Sequence, residues 1–358
     1  MGQYCSSFDN VQPGDDDLTT SDSASDSTTS ESISTVPAKP TPILFKQPLD
    51  IFLEIVSHLD PSSAASLSLT CKNAFALLAP ASLSRLTTED KGALLQLWER
   101  DANVGSSFYF CHLCTKLHPF APWWGPKTRS RESCRFLASE NYAHFLLSWK
   151  PSGSYITVAY HHARLVMNRH LYGPELGLDL DSFTVREGPR KIHRNLDLVQ
   201  SMTARIINDM LVLRIEHEIT PASAEVPPDG FRKEVDEAVC KICEHMQTHK
   251  LICSTWRTIS EIGVQEAETM FSPCRNAPGS CERCTTDLET TIEFGMERTS
   301  SEWRINIVSY HLLGQGRTPW EAEAGGFFYD QSSRSSERDV NKYPFGSIRQ
   351  MWFKAGFH

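Results

Sequence analysis

The chain has 358 residues, 40% of them hydrophobic, and its 35 Lys and Arg against 44 Asp and Glu give a net charge of −9. That length leaves room for two or three domains with a real core, and the acidic balance excludes the basic footprint of a general nucleic-acid binder, so no nucleic-acid partner is expected. No run of about eighteen apolar residues offers a membrane span, and "MGQYCSSFDN" lacks the apolar centre of a secretory signal, so the 11 cysteines are expected reduced, with C-x-x-C pairs pointing to metal before disulfides.

Residues 1–42 read as a disordered acidic tail. "GDDDLTTSDSASDSTTSESIST" is Ser, Thr and Asp with almost nothing apolar, so it cannot bury enough surface to offset its ordering entropy. Its first six residues, Met1-Gly2-Gln3-Tyr4-Cys5-Ser6, fit the myristoylation pattern at Gly2, and Cys5 lies where a palmitoyl chain could follow. One acyl chain binds a membrane marginally and two anchor it, so acylation at both would place the protein at a membrane surface. The plainer reading is a chance match on common residues in a tail too acidic for an anionic membrane. The protein would then be cytoplasmic or nuclear.

From residue 46 to about 101 the pattern predicts helices. "PLDIFLEIVSHL" is one, "SSAASLSLTCKNAFALLAP" covers the next, and "TTEDKGALLQLWERD" is a third with a Thr-led, acidic start. On a helical wheel the apolar residues of 49–60 sweep about 200°, twice the arc that a helix resting on one core needs. Ile51, Ile55 and Leu59 share one side, Phe52 and Val56 continue it, and Leu49 and Leu53 extend it. Such a helix buries one face on its own chain and offers the other to a partner. The competing reading is a helix central to its own domain.

The same stretch resembles an F-box. Pro48, Asp50, Ile51, Ile55, Leu59, Asp60, Pro61, Leu67, Leu69, Cys71, Lys72 and Phe75 follow that family's order, with departures at Gln47, Ala64 and Ala65. The resemblance implies a helical module that docks on the Skp adaptor subunit of cullin–RING ubiquitin ligases by laying apolar anchors into a groove. By the same resemblance Pro48, Leu49, Ile51, Phe52, Ile55, Leu59, Leu67, Leu69 and Phe75 are the candidate contacts.

Beyond it the chain turns mixed. "LDLVQSMTARIINDMLVLRIEHEI" is expected to be antiparallel strand, with clean two-residue alternation in "MLVLRIEHEI". "SGSYITVAYHHARLVMNRHLYG" passes from strand to helix or to a second strand. "VDEAVCKICEHMQTHK" is expected to be a helix. "TTIEFGMER" and "EWRINIVSYHLLG" are strands, and "FGSIRQMWFKAG" is a short closing helix.

Two cysteine and histidine groups have metal-ligand spacing. Cys111-x2-Cys114-x3-His118 presents two thiolates and an imidazole, and Cys134 is the nearest further thiol; the alternative is a turn-capping His118 and a buried, apolar Cys134. Cys240/Cys243 and Cys281/Cys284 form two C-x-x-C pairs able to make a four-thiolate site across distant segments, with His245 as a substitute for one thiolate. Structural zinc is the cofactor these groups would take; unrelated core cysteines are the alternative.

No catalytic constellation accompanies them: the chain has no phosphate-binding or dinucleotide glycine loop, no H-E-x-x-H and no G-x-S-x-G. The basic stretches "YHHARLVMNRH" and "GPRKIHRN" read as solvated faces. "LWERD" before C-x-x-C-x-x-LH, "ARLVMNRHLYG", "SC-x-x-C-x-TD", "VSYHLLG" before "TPW" and "GSIRQMWF" together resemble a large group of F-box proteins of filamentous fungi.

The expected architecture is α+β. The tail at 1–42 leads to a helical F-box and its following helix at 43–101, and a mixed, mainly antiparallel domain at 102–358 recruits an unknown protein substrate. The expected role is a non-enzymatic substrate adaptor of an SCF-type ligase. The rivals are an interaction scaffold outside a ligase, anchored at a membrane through Gly2 and Cys5, and a zinc-dependent regulator or enzyme.

Overall fold

The computed structural model describes residues 43–112, 114–127, 158–223, 231, 234–235, 237–238, 241–243, 245–247, 273–297, 300–318 and 338–355. Gly2, Cys5, the acidic tail, Cys134 and Cys240 lie outside them. The chain divides into two units at Ser57/His58.

In the first unit, helix α1 spans Leu49–Ser57 behind a short 3-10 turn at Ile43–Lys46. Phe52 is its buried residue, whereas Leu49, Ile51, Leu53 and Ile55 are 41–51% exposed.

The second unit opens with four more helices: α2 (Pro61–Ser68), α3 (Lys72–Ser84), α4 (Thr88–Glu99) and the single turn α5 (Ala102–Gly105). The expected single helix over "SSAASLSLTCKNAFALLAP" is therefore two. Leu69 ends α2, and Cys71 takes an extended backbone as the N-cap of α3, its Sγ accepting from Ala74 N at 3.4 Å. Asp60 caps α2 through Ser63 N at 3.0 Å, with Pro61 at the first helical position, where its missing N–H costs nothing. Thr87 and Asp90 form a reciprocal capping box at the start of α4.

The rest of this unit is built on a six-stranded antiparallel sheet, β3 (Val185–His193), β4 (Leu196–Ile207), β5 (Met210–Pro221), β8 (Cys274–Ser280), β9 (Thr286–Glu297) and β10 (Ser300–Gly314), in the order β3-β4-β5-β10-β9-β8. The expected antiparallel hairpin is β4–β5. It turns at Asn208 and Asp209, whose φ values of 51° and 56° are those of a two-residue turn whose twist matches the strands. Alternation then fixes the faces: Leu198, Gln200 and Met202 stand opposite Ile219, His217 and Ile215, and Ile305 and Ile307 continue the row on β10.

Helix α6 (Tyr160–Tyr172) packs Ala163, Val166 and Met167 into one core with Met202, Leu213 and Ile215. Here a sequence expectation fails. Tyr160 through Asn168 are all buried, not a solvated basic face. Arg164 is tolerated because Glu99 of α4 takes its Nε at 2.8 Å and pairs with Nη2, while also accepting from Asn168 Nδ2 and Phe110 N. On the opposite side of the sheet, α7 (Ser347–Lys354) covers Val212, Val308 and Tyr310 with Ile348 and Trp352. Asp287 of β9 caps α7 by accepting from Gly346, Ile348 and Arg349 N–H groups, and its charge is met by Arg338, fully buried like itself.

The expected helix over "VDEAVCKICEHMQTHK" is replaced around the cysteine by two short paired strands, β6 (Lys241–Cys243) and β7 (Met246–Gln247). Phe231, Val235, Ala238 and Ile242 before this turn pack against Leu198, Ile219, Ile292 and Ile305 of the sheet. Among the described residues no helix is long and apolar enough to cross a membrane.

Candidate functional site

Three groups of residues carry chemistry or contact potential. The first is a set of exposed apolar residues on the N-terminal helices, taken in each unit by itself. In α1, Leu49, Ile51, Leu53 and Ile55 are exposed beside Pro48; in the second unit, Leu59, Phe75 and Leu77 are 37–51% exposed. Leu67 and Leu69 are half-buried. Phe52, expected among the contacts, is turned inward at 3% exposure and serves the chain's own packing. Leu53 and Leu77 were not in the expected contact set, because identity alone does not tell which apolar position on a short helix faces out. Fully burying an Ile or Leu is worth about 1.5–3 kcal/mol relative to leaving it exposed, so such residues are open to a partner's surface.

The second group lies on a two-stranded ribbon, β1 (Phe108–Cys111) and β2 (Lys116–Pro119). Cys111 ends β1, Cys114 sits in the turn and His118 lies on β2 opposite Tyr109. Thr115, at a φ of 51°, makes the turn tight enough for its N–H to reach Cys111 O at 2.9 Å. The ligand atoms of the three lie within 4.8 Å of one another, and Cys114 Sγ is 2.9 Å from His118 Nε2. Burial, then neighbouring Lys116, holds His118 below the ordinary histidine value, so its imidazole is the neutral form that binds metal. The expected fourth donor, Cys134, is outside the described residues. His161 of α6 stacks on Tyr109 with ring centroids 5.8 Å apart. It is wholly buried, and burial together with His162 and His118 holds it well below the usual range. The basic stretch that holds it is thus buried and not a solvated face.

The third group is complete in number. Cys243, His245, Cys281 and Cys284 place one donor atom each within 4.8 Å of all the others. Of the expected four thiolates three are present, Cys240 is outside the described residues, and His245 stands as the fourth donor. The β6–β7 turn explains why. On a helix, positions two apart point about 200° from each other, whereas the β6–β7 turn brings Cys243 and His245 to one side.

All three cysteines are buried thiols, and their protons are interdependent. Hydrogen bonds from Cys243 and then Cys284 hold the Cys281 thiol far below the ordinary range. The bond to Cys281 pushes Cys243 up to about 12, and burial raises Cys284. These clusters can hold a metal.

Residues 48–79 match the family model of the F-box domain, so the chain carries an F-box and is an F-box protein. The match covers α1, α2 and the first turns of α3 and ends there; the likeness of the later motifs to the fungal group rests on those motifs alone. Neither the curated proteins nor the solved structures include a match to this chain. F-box domains act in protein–protein interaction and typically bind the Skp adaptor of SCF ligases, and F-box proteins are generally adaptors rather than enzymes.

Proposed function

We propose that this protein is the substrate-recognition adaptor of an SCF-type cullin–RING ubiquitin ligase, with the Skp adaptor bound through residues 47–78 and a target protein through the domain at 102–358. The observation that carries the reading is that, within the matched F-box, α1 leaves Leu49, Ile51, Leu53 and Ile55 exposed around a single buried Phe52. A helix with that surface is suited to a groove that reads apolar anchors. The chain performs no bond chemistry of its own in this reading: it raises the effective concentration of a target beside the ligase. Structural zinc at the Cys/His clusters braces the target-binding domain.

The test is co-purification of the Skp adaptor with the wild-type chain and with Ile55→Asp. Ile55 is 41% exposed in the chain, so the substitution spares the fold. A carboxylate buried without a partner in the groove costs several kcal/mol, enough to weaken binding about 100-fold or more. Equal recovery of the adaptor with both chains would sink the proposal.

A further inference from the structure

Three sulfurs and an imidazole converge at the end of β9, and their surroundings are those of a metal-bound knuckle. We infer that Cys243, His245, Cys281 and Cys284 hold one zinc ion in a tetrahedral Cys3His site that fastens the β6–β7 turn to the sheet. The inference stands independently of the ligase reading.

Geometry comes first. Zinc–sulfur bonds of about 2.3 Å at tetrahedral angles set ligand sulfurs about 3.8 Å apart. The four donor atoms already lie within 4.8 Å of one another, so metal closes the site with shifts smaller than a bond length. Buried cysteines acting only as small apolar side chains would not need an imidazole among them. The imidazole of His245 already hydrogen-bonds Cys281 within the cluster, which sets one ring nitrogen among the sulfurs.

The backbone around the sulfurs is arranged for negative charge. Arg283 N–H points at Cys281 Sγ across 3.4 Å, within the turn that carries both Cys281 and Cys284. The turn itself is held by Cys281 N on Thr286 O at 2.9 Å and Thr286 N on Cys284 O at 2.8 Å. Arg338 clamps it from outside through the carbonyls of Cys281 and Thr286. A rigid turn offering an N–H to sulfur favours thiolate over thiol.

Outside the donors, Thr286 Oγ1 lies 3.2 Å from Cys284 Sγ and 3.1 Å from His311 Nδ1, and His311 Nε2 lies 2.9 Å from Ser309 Oγ. With Cys284 a metal-bound thiolate, the Thr286 hydroxyl can donate to its sulfur and accept from His311 Nδ1–H. Thr286 is thus a positioning residue for Cys284. Such partners outside the ligand shell typically change metal affinity 10- to 100-fold when removed.

The experiment is zinc content, by mass spectrometry, of the full chain purified without added metal. The ribbon donors Cys111, Cys114 and His118 make a separate group, so the readout is a difference between variants. Wild type should exceed Cys281→Ser by one equivalent. Cys281→His, which restores a ligand, should recover it, and this rescue distinguishes lost coordination from lost folding. Thr286→Val should keep the equivalent but surrender it to a competing chelator at about 10- to 100-fold lower chelator strength. Zinc below half an equivalent in wild type, or full retention in Cys281→Ser, would overturn the inference. So would an X-ray absorption spectrum of wild-type zinc lacking sulfur ligands.

Discussion

Glu99 shows how much can rest on one side chain. It is 1% exposed, and its two oxygens receive Arg164, Asn168 and the Phe110 amide. Arg164 in turn donates to Tyr160 Oη at 2.9 Å and Arg317 O at 2.5 Å. One carboxylate therefore ties α4 to β1 and to α6, and through Arg164 to the end of β10. Removing one partner of such a pair strands a buried charge and costs about 3–5 kcal/mol. Glu99→Ala should lower stability by about that amount, read as a fall in the denaturant midpoint with an unchanged slope. A loss under about 1 kcal/mol would mean that Arg164 finds water when Glu99 is gone. None of this is legible from residue types: Glu99 and Arg164 are 65 positions apart, and the rule that basic stretches are solvated points the wrong way. What the sequence does reveal at this scale is ligand spacing, because C-x-x-C and C-x-H are local.

Among the elements, legibility follows periodicity. The β4–β5 hairpin announces itself through the alternation of "MLVLRIEHEI", carried on in the burial of Leu213 to Ile219, whereas β9 and β10 alternate only in part because the sheet between α6 and α7 is covered on both faces there. The break between α2 and α3 does not announce itself, since a cysteine cap carries no propensity signal. The β6–β7 turn is hidden for another reason. "VDEAVCKICEHMQ" is a respectable helix by composition, and the packing of Ile242 against the sheet overrides it.

The sheet also carries a polar row that periodicity reads as core. His217 on β5 stands opposite Gln200 on β4, their nitrogens 3.1 Å apart, and faces Ile307 on β10. Burial pulls His217 down to about 4, a backbone hydrogen bond to Ile307 opposes this, and nearby Arg190 adds to it. The folded value lies below the ordinary 6.5, so on acidification the unfolded chain takes up the proton first. The stability this neutral histidine contributes is complete above about pH 6.5 and is lost as pH falls towards about 4, a total of roughly 3 kcal/mol. The measurement is unfolding free energy against pH for wild type and His217→Gln. Wild type should lose about 3 kcal/mol relative to the variant between pH 6.5 and 4; parallel curves would show that His217 is hydrated in solution.

For the whole molecule, an adaptor works only if what it grips at one end and what it grips at the other are separable. In the ligase reading, docking would depend on exposed apolar residues of a short helix within the F-box, and target capture on a sheet domain stabilised by its own cores and ion pairs. Substitution of an exposed side chain that no core contains, as Ile55 is, should leave the stability of the sheet domain unchanged. The ligase and scaffold readings then part in one experiment. Wild type and Ile55→Asp chains are expressed in parallel, their bound proteins are recovered, and ubiquitin conjugates are counted on those proteins. In the ligase reading both chains capture the same targets, and only wild type brings them to conjugation. Because ubiquitin transfer depends on proximity, targets held by Ile55→Asp should accumulate unmodified. Equal modification with both chains would leave a scaffold that uses its F-box outside a ligase. Loss of the targets themselves from Ile55→Asp would place target capture on the F-box helices and not on the sheet.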